Sequence, residues 1–468
     1  MKANAVDKGT GSMFQAGVFV LPVNGAFLIY SPLGGIASLL NASALRALRR
    51  RMGKAVPDPS FPSELRELAD LLIRKPCEPP SETERLNPLF LGILPTRRCN
   101  CNCVYCDFDA GEEKASDMSP AMAEAALTWY AHFLKDAGQD HMEVHFFGGE
   151  PLVCRDVVET AVHRSRLLAG LHGLSLHLEV STNGIFEQEY AQFVGDYFHA
   201  VVLSLDGFRD VHDRHRPISS RRGSFSPARQ TATLLSLAPT ELCLRCCVSN
   251  LNIQSLEEIA IWFCEEFQPS VINFEPLTNN PKSRAAGLSP PDPYAFVRQY
   301  AKARARTLHY GIKTVYAATE GEPSQTSFCP VGKDVLIVSP DGRISSCYLP
   351  RKAWVERGLD MDVGRLSVQD GMHVDQDALL RLRGLVRAKP RCERCFCQWV
   401  CSGGCHVQHS YPGSSPAYGP FCIQTRLLSA CRLLEDMNLS SIAQALLADE
   451  KAMEALALQP SDRFEPAG

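Results

Sequence analysis

Short apolar stretches alternate with amphipathic segments through the middle of the chain. Six of them have the length and composition of β-strands and cover residues 89–94, 142–147, 174–180, 200–205, 242–248 and 270–274. Most of the segments between them carry apolar residues at helical spacing. Since strands that alternate with helices form parallel sheets through crossover connections, the pattern predicts an α/β fold. Periodicity alone leaves a curved barrel and an open doubly wound sheet as alternatives.

Four of the intervening segments carry helix boundary signals of the serine, proline and glycine type. The predicted helices are, in chain order, one from Ser119-Pro120 to just before Gly138, one over residues 156–169 before Gly170, one opened by Ser226-Pro227, and one capped by Ser255 with Glu258.

The first 86 residues are predicted to form a separate α+β module. Apolar residues on either side of Asn24-Gly25 predict a β-hairpin, because this dipeptide favours the tight turn between two strands. The hairpin strands, two helices and a proline-rich linker are predicted, in that order, at 14–21 and 26–30, at 38–52 and 63–73, and at 76–88. The residues leave two interpretations open: a peptide-recognition element, or an extension that packs on the next domain.

The C-terminal third has its own element signals. Pro340-Asp341-Gly342 predicts a hairpin between residues 335–338 and 343–346. Helices are predicted over 292–309 and 427–447, and the residues from about Gln459 onward are predicted to be mobile.

Composition is that of an ordinary globular protein with one anomaly. The net charge of -4 over 468 residues gives no electrostatic basis for nucleic-acid binding. No stretch reaches the ~20 apolar residues of a membrane span, and no secretory signal opens the sequence. The anomaly is the 19 cysteines, an odd number that fits a closed disulfide set poorly. We therefore expect a cytoplasmic protein that keeps its thiolates for metal clusters.

Polar and glycine residues follow nearly every predicted strand. They are a cysteine loop after the first, Gly148-Gly149-Glu150-Pro151 after the second, Ser181-Thr182-Asn183-Gly184 after the third, Ser204, Asp206 and Gly207 at the end of the fourth, Arg245 within the fifth, and Glu275-Pro276 at the end of the sixth. Because the carboxyl ends of parallel strands meet at one edge, a reactive site is predicted there.

The cysteine loop carries Cys99, Cys103 and Cys106 with the spacing C-x-x-x-C-x-x-C. Three thiolates this close can hold three corners of a [4Fe-4S] cluster and leave the fourth iron open to a small molecule. A zinc site or a structural thiol group is the alternative, with Cys101 as a fourth ligand.

This spacing, with Tyr105 just before the third cysteine, resembles the radical S-adenosylmethionine (SAM) family. The resemblance implies a partial (β/α)6 TIM-like barrel over residues 87–318, with SAM on the open iron. An arginine suits the methionine carboxylate because its fork makes two parallel hydrogen bonds. The residues that the resemblance assigns to SAM are Tyr105, Gly148, Gly149, Glu150, Pro151, Ser181, Asn183, Ser204, Arg216 and Arg245.

Seven later cysteines resemble the SPASM extension of radical SAM proteins, here within residues 319–468. The resemblance implies two auxiliary [4Fe-4S] clusters. Cys392, Cys395, Cys401 and Cys422 would hold the distal cluster, and Cys329, Cys347 and Cys405 the cluster nearer SAM. The nearer cluster is expected to have an open iron or an unusual ligand such as Asp334. Cys397 is an extra thiol, and a zinc ribbon is the alternative for the whole motif.

The resemblance implies that SAM is split reductively to methionine and a 5′-deoxyadenosyl radical, which removes a hydrogen atom from the substrate. The expected partners are a precursor peptide or protein and a flavodoxin- or ferredoxin-type electron donor. Three functions stay open: oxidative modification of a ribosomally made peptide, maturation of a folded enzyme (sulfatase formylglycine or quinone-cofactor type), and a non-catalytic iron–sulfur carrier. In many relatives a winged-helix-like module holds a leader peptide. Glu275 is a candidate base, and a salt-bridged carboxylate is its alternative.

Overall fold

The N-terminal part of the chain folds around a small antiparallel sheet. The structure, a computed structural model, describes residues 17–52, 61–74, 86–108, 117–218, 222–320, 327–329, 331–385, 389–409 and 418–464. The first elements are β1 (Phe19–Val23), β2 (Ala26–Ser31), β3 (Ile36–Leu40), α1 (Ala42–Met52), a 3-10 turn (Ser63–Leu65) and α2 (Arg66–Arg74). Asn24 and Gly25 have positive φ of 45° and 78°, so the predicted hairpin is confirmed. Most of the predicted linker lies outside the described residues.

The predicted helix over residues 38–52 is wrong at its start. The segment Ile36–Leu40 pairs with β2, with Ser38 opposite Ile29, and forms β3 instead. Asn41 then accepts a hydrogen bond from the backbone N–H of Ala44 at 2.8 Å and starts α1. Strand pairing therefore overrides the helical spacing of the leucines.

The central sheet contains all six predicted strands, each parallel to its neighbour. They are β4 (Leu91–Ile93), β5 (His141–Phe146), β6 (Ser175–Thr182), β7 (Ala200–Ser204), β8 (Glu241–Val248) and β9 (Val271–Pro276), and they are followed by the unpredicted β10 (Lys313–Val315). Three residues are too few for β10 to show a period in the sequence.

Helices cover one face of this sheet. The helices of this part of the chain are α3 (Pro120–Asp136), α4 (Arg155–His172), α5 (Gln188–Tyr197), α6 (Arg209–His215), α7 (Phe225–Leu235), α8 (Leu256–Phe267), α9 (Pro281–Ala285) and α10 (Pro293–His309), with 3-10 turns at Pro151–Val153, Ile253–Ser255 and Ala317–Thr319. The face of β5 toward the helices carries Met142, Val144 and Phe146, all buried, whereas its other face carries half-buried Glu143 and His145. The inner side of β5 is therefore polar.

Three predicted helix boundaries need correction. The helix α4 runs through Gly170 and ends at Gly173, whose φ is 67°, because one helical glycine costs only ~1 kcal/mol. The helix α7 starts before Ser226, since Asp213 accepts a hydrogen bond from the N–H of Phe225 at 2.7 Å. Ser255 precedes α8 but makes no capping hydrogen bond, because it ends a 3-10 turn.

The C-terminal part extends the central sheet. Its elements are β11 (Leu336–Val338), β12 (Arg343–Ser345), α11 (Arg351–Val355), β13 (Asp362–Ser367), β14 (Gly371–Val374), α12 (Gln376–Arg383), a 3-10 turn (Pro390–Cys392), α13 (Gln398–Cys401), α14 (Pro420–Asp436), α15 (Ser440–Ala448), α16 (Glu450–Leu458) and β15 (Asp462–Arg463). The predicted second hairpin is β11–β12, and β11 lies parallel to β4. Among the described strands, β10 and β14 are the edges of this sheet, so it is not closed. Because helices cover one face and a doubly wound sheet has them on both, the fold is a partial barrel.

The C-terminus corrects two predictions. The helix expected over 427–447 is two helices, α14 and α15, separated at Asn438, whose φ is 61°. The end of the chain is ordered through residue 464, because β15 pairs with β1 and the Phe464 N–H donates to the Val18 carbonyl at 2.8 Å.

The domain limits 1–86, 87–318 and 319–468 stay predictions. Of the helices in the described ranges, none is both long and apolar enough to cross a membrane.

Candidate active site

The cysteine loop follows β4 and is anchored by backbone hydrogen bonds. The N–H of Asn102 donates to the Pro217 carbonyl at 2.7 Å, and the N–H of Val104 donates to the His215 carbonyl at 3.0 Å. The Asn100 side chain donates to the Ile185 carbonyl at 2.7 Å. The loop is thereby fixed against the segments that follow β6 and β7.

N–H groups point at two of the three predicted ligand sulfurs. Asn183 Nδ2 donates to Cys99 Sγ at 3.7 Å, and Arg216 Nη1 donates to Cys103 Sγ at 3.8 Å. The backbone N–H of Cys101 also donates to Cys99 Sγ, at 3.4 Å. N–H donors of this kind stabilise thiolates, so the donor set suits an iron–sulfur cluster. Cys106 closes the loop, and its N–H donates to the Cys103 carbonyl at 3.2 Å.

The glycines of the Gly-Gly-Glu-Pro loop permit close contact between two backbones. A Cβ at Gly149 would lie 2.1 Å from the carbonyl oxygen of Arg98, and one at Gly148 would lie 2.5 Å from that of Thr96. The N–H of Gly149 donates to the Thr96 carbonyl at 3.1 Å. The sequence analysis did not foresee this contact, which fixes the loop directly beside the cysteines.

Glu150 joins this loop to the end of β6. Its buried carboxylate accepts hydrogen bonds from the Asn183 N–H at 2.7 Å, the Thr182 hydroxyl at 2.9 Å and the Leu152 N–H at 3.2 Å. Burial raises the pKa of Glu150 to about 7, although these donors oppose the rise. Pro151 is buried in the following 3-10 turn. The Glu150 side chain therefore acts within the protein, and any SAM contact of this loop comes from its backbone.

A buried carboxylate that the sequence analysis left unassigned, Asp206, organises the residues beside Cys103. It accepts hydrogen bonds from the Tyr105 hydroxyl at 2.6 Å, from Arg216 Nε at 2.9 Å and from the Cys247 N–H at 3.0 Å, and His215 lies 3.2 Å away. Burial opposes ionisation, but Arg216 and His215 outweigh it and hold the pKa of Asp206 well below its usual range. The guanidinium of Arg216 is thus already paired with a carboxylate.

The remaining predicted residues lie on the inner face of the sheet. Ser181 is half-buried on β6, and Ser204 on β7 lies opposite Arg245 on β8. Arg245 is exposed, in contrast to Arg216. Glu275 on β9 accepts a hydrogen bond from the Ala317 N–H at 3.2 Å. Burial raises the pKa of Glu275, and the nearby charge of Arg245 opposes the rise.

The later cysteines influence one another's pKa in two sets. Burial raises the pKa of Cys392 to about 12, and the nearby thiols of Cys395 and Cys422 add to the rise. The same three thiols surround Cys401. Burial likewise raises the pKa of Cys347 to about 12, with contributions from Cys405 and Cys329. The assignment of four distal and three nearer ligands stays a prediction, and within the described ranges no three Cys, His, Asp or Glu side chains are already placed to hold a metal ion.

Asp334 is not free to be a ligand of the nearer group. Its carboxylate is paired with the guanidinium of Arg383 and accepts a hydrogen bond from the Asn87 N–H at 3.0 Å. Cys397 is buried beside Cys395, where it forms a thiol–thiol contact. On β8, Cys246 is fully buried.

Asp107, next to Cys106, connects the first cysteine loop to the loop of Cys405, one of the three nearer cysteines. Its two carboxylate oxygens accept hydrogen bonds from Asn280 Nδ2 at 2.6 Å and from Gln408 Nε2 at 2.7 Å. The backbone N–H of Gln408 donates to Cys405 Sγ at 3.3 Å. The first loop and the Cys405 loop are thus held side by side.

Comparison with known proteins agrees with this geometry. Residues 93–261 match the model of the Radical SAM superfamily. This chain contains a radical SAM domain over these residues. Members of the superfamily bind SAM and a [4Fe-4S] cluster, and the cysteine-rich part of this chain from Cys329 to Cys422 fits the SPASM type.

Curated relatives include two maturation enzymes. The cysteine-type anaerobic sulfatase-maturating enzyme of Clostridium perfringens (strain 13 / Type A) is 20% identical over 334 residues, which are 68% of this chain and 89% of that enzyme. The PqqA peptide cyclase of Rhizobium meliloti (strain 1021) is 23% identical over 381 residues, which are 78% of this chain and 96% of the cyclase.

Solved structures share the fold. One is native anSMEcpe with bound AdoMet and Cp18Cys peptide, with a TM-score of 0.55, 18% identity, and coverage of 76% of this chain and 99% of that chain. Another is Streptococcus suis SuiB bound to precursor peptide SuiA, with a TM-score of 0.50, 13% identity, and coverage of 84% and 95%.

Proposed function

We propose that this radical SAM enzyme oxidatively modifies a ribosomally made peptide, by a crosslink or a related change. The observation that carries the proposal is the junction of the cysteine loop and the Gly-Gly-Glu-Pro loop at the carboxyl ends of β4 and β5, beside the polar inner side of β5. When bound, a [4Fe-4S] cluster on Cys99, Cys103 and Cys106 supplies the electron that splits SAM into methionine and a 5′-deoxyadenosyl radical.

The side chains around this junction divide the task of holding SAM. Arg245 is the better candidate for the methionine carboxylate, because it is exposed on the inner face whereas Arg216 is paired with Asp206. The Gly148-Gly149 backbone is the candidate for the amine, and Ser181 and Ser204 lie on the neighbouring strand ends.

Oxidation of the substrate requires that a proton and an electron leave the substrate radical. Glu275 is our candidate base, because it sits on the inner face and its pKa is raised by burial. Two auxiliary clusters, on the four distal and the three nearer cysteines, are our candidates for the electron acceptors. The Asp107–Gln408 hydrogen bond of 2.7 Å supports a position of the nearer cluster beside the SAM site. A flavodoxin- or ferredoxin-type protein would supply electrons.

The N-terminal sheet favours a peptide as the substrate. In the described sheet, whose order is β15-β1-β2-β3, the outer edge of β3 has no strand paired to it. An extended peptide can add to such an edge through backbone hydrogen bonds. We therefore propose that β3 holds a leader segment of the substrate.

A folded protein is the second candidate substrate. It is favoured by the likeness to a cysteine-type sulfatase-maturating enzyme over 89% of that relative. A non-catalytic iron–sulfur carrier, the third candidate, has no need of the SAM contacts at the strand ends.

Hydrogen exchange and mass spectrometry together test the peptide proposal. The reconstituted enzyme is incubated with SAM, dithionite and synthetic peptides copied from short reading frames beside its gene. We expect one peptide to lose two hydrogen atoms and to protect β3 (Ile36–Leu40) from exchange, while the control edge β14 (Gly371–Val374) is unaffected. Modification of a folded sulfatase instead of any peptide would replace this proposal with the second candidate.

A further inference from the structure

Arg426 is a buried guanidinium without a carboxylate partner. It lies on α14 with 2% exposure, and no Asp or Glu of the described residues pairs with it. Two less deeply buried arginines, Arg216 and Arg383, have side chains that are 12% and 10% exposed, and each has such a partner: Asp206 for Arg216 and Asp334 for Arg383. A buried, uncompensated charge costs several kcal/mol. The position of Arg426 therefore requires an anion of another kind.

The side chain points at the distal cysteine group. Arg426 Nη1 donates to Cys395 Sγ at 3.3 Å, and the guanidinium lies 4.3 Å from the centre of the Tyr418 ring and 5.0 Å from that of Phe396. The remaining N–H groups donate to neutral oxygens: the carbonyls of Leu456 at 2.8 Å and Gln459 at 2.6 Å, and the hydroxyl of Ser461 at 3.2 Å. Of these hydrogen-bond acceptors, only the sulfur of Cys395 can therefore carry a negative charge.

We infer that Arg426 is the built-in counter-ion of the distal cluster, that it raises the reduction potential of this cluster, and that it fixes the C-terminal segment over it. Four thiolates and the cluster carry net negative charge, which supplies the missing anion. Because a nearby cation and a hydrogen bond to sulfur favour the more reduced and more negative state, they raise the potential. Arg426 is a positioning residue, and its role rests on the proposed distal cluster.

The same side chain links the distal cysteine motif to the N-terminal sheet. The segment that Arg426 holds continues through Ser461, whose N–H donates to the Arg394 carbonyl at 2.9 Å. It then enters β15, where Arg463 pairs with Phe19 of β1. Loading of the distal cluster is therefore expected to order the strand that completes the N-terminal sheet.

The test uses the full chain with Cys99, Cys103 and Cys106 replaced by Ala, so that only auxiliary clusters load. Arg426→Met removes the charge, and Arg426→Lys keeps it but loses the fork. Arg432→Met is the matched control, since Arg432 is on the same helix and donates to the Thr319 carbonyl at 2.5 Å. The readouts are iron and sulfide content, electron paramagnetic resonance (EPR) at poised potentials, and hydrogen exchange.

We expect Arg426→Met to lower the ratio of reduced to oxidised distal cluster about tenfold at a fixed potential, which is ~59 mV for one electron. Arg426→Lys and Arg432→Met should stay within about twofold of the parent. Exchange at residues 456–464 should rise in both Arg426 variants and not in the control. The counter-ion role is also supported if Arg426→Met does not load the distal cluster whereas Arg426→Lys does, because only the lysine keeps the positive charge.

Three results would overturn the inference. An unchanged potential in fully loaded Arg426→Met removes the counter-ion role, and unchanged exchange at residues 456–464 removes the positioning role. A parent protein with iron for fewer than two auxiliary clusters, and without the distal signal, removes the inference together with the cluster assignment.

Discussion

Replacement of Gly149 by alanine tests whether the two loops must touch. The new Cβ would lie 2.1 Å from the Arg98 carbonyl oxygen and 2.6 Å from that of Arg97, so one backbone has to move by more than an ångström. This movement breaks the Glu150 N–H bond to Arg98 of 2.8 Å and the Gly149 N–H bond to Thr96 of 3.1 Å. Two hydrogen bonds and the overpacking together are worth about 3–5 kcal/mol.

Because Cys99 follows Arg98 directly, the movement also displaces the first cysteine. We expect Gly149→Ala to lower SAM affinity at least tenfold and to reduce iron bound by the first loop, as measured by calorimetry and by EPR with and without SAM. Gly170→Ala is the matched control, since a Cβ there meets no atom within 4 Å, and it should stabilise α4 by about 0.4–1 kcal/mol. Wild-type SAM affinity and iron content in Gly149→Ala would refute the reasoning.

Three further substitutions test the buried and inner-face carboxylates. Asp206→Asn leaves Arg216 buried and unpaired, so unfolding should require about 3–5 kcal/mol less by denaturant titration. Because the native pKa of Asp206 is depressed, its contribution is present above pH ~4 and is lost as the pH falls below it, and a variant with unchanged acid stability contradicts this. Glu275→Gln should preserve SAM cleavage and block product formation. In the parent, product formation should be lost as the pH falls, because Glu275 becomes protonated, and this loss should occur at a pH above the usual carboxylate pKa of ~4. Normal product yield would remove Glu275 from the mechanism. Asp334→Asn should destabilise the fold through loss of the ion pair with Arg383 but leave the EPR spectrum of the nearer cluster unchanged, and a changed spectrum would restore Asp334 as a ligand.

The strand pattern could be predicted because it is local. Each strand of the parallel sheet buries alternate residues against helices, so positions such as Met142, Val144 and Phe146 identify β5 in the sequence. The clustering of Gly148, Ser181 and Ser204 near one edge then follows from parallel topology alone. The cysteine spacing that fits the SPASM type was also visible, because spacing is a local feature of the sequence, whereas the assignment of each cysteine to a cluster stays a prediction.

The features that could not be predicted depend on partners distant in sequence. The sequence suggests that Arg216 is free to bind a carboxylate, but the fold pairs it with Asp206. It also suggests Asp334 as a cluster ligand, but the fold pairs Asp334 with Arg383, which lies 49 residues later in the chain. The start of α7 was missed because its cap, Asp213, belongs to the preceding helix. The order of the C-terminus depends on β1, more than 400 positions away along the 468-residue chain.

The reason for Gly149 was also invisible in the sequence. A Gly-Gly pair suggests room for a ligand, but the fold uses it to seat one backbone on another. Arg426 gave no signal at all, because a single arginine in an amphipathic helix usually faces solvent.

The central claim is that the first cysteine loop and its neighbours split SAM reductively. The most direct measurement is the yield of 5′-deoxyadenosine and methionine from anaerobically reconstituted enzyme with SAM and dithionite, compared with Cys103→Ala. We predict equal amounts of both products from the parent and neither from the variant. A parent that binds iron at this loop but releases no 5′-deoxyadenosine would contradict the account.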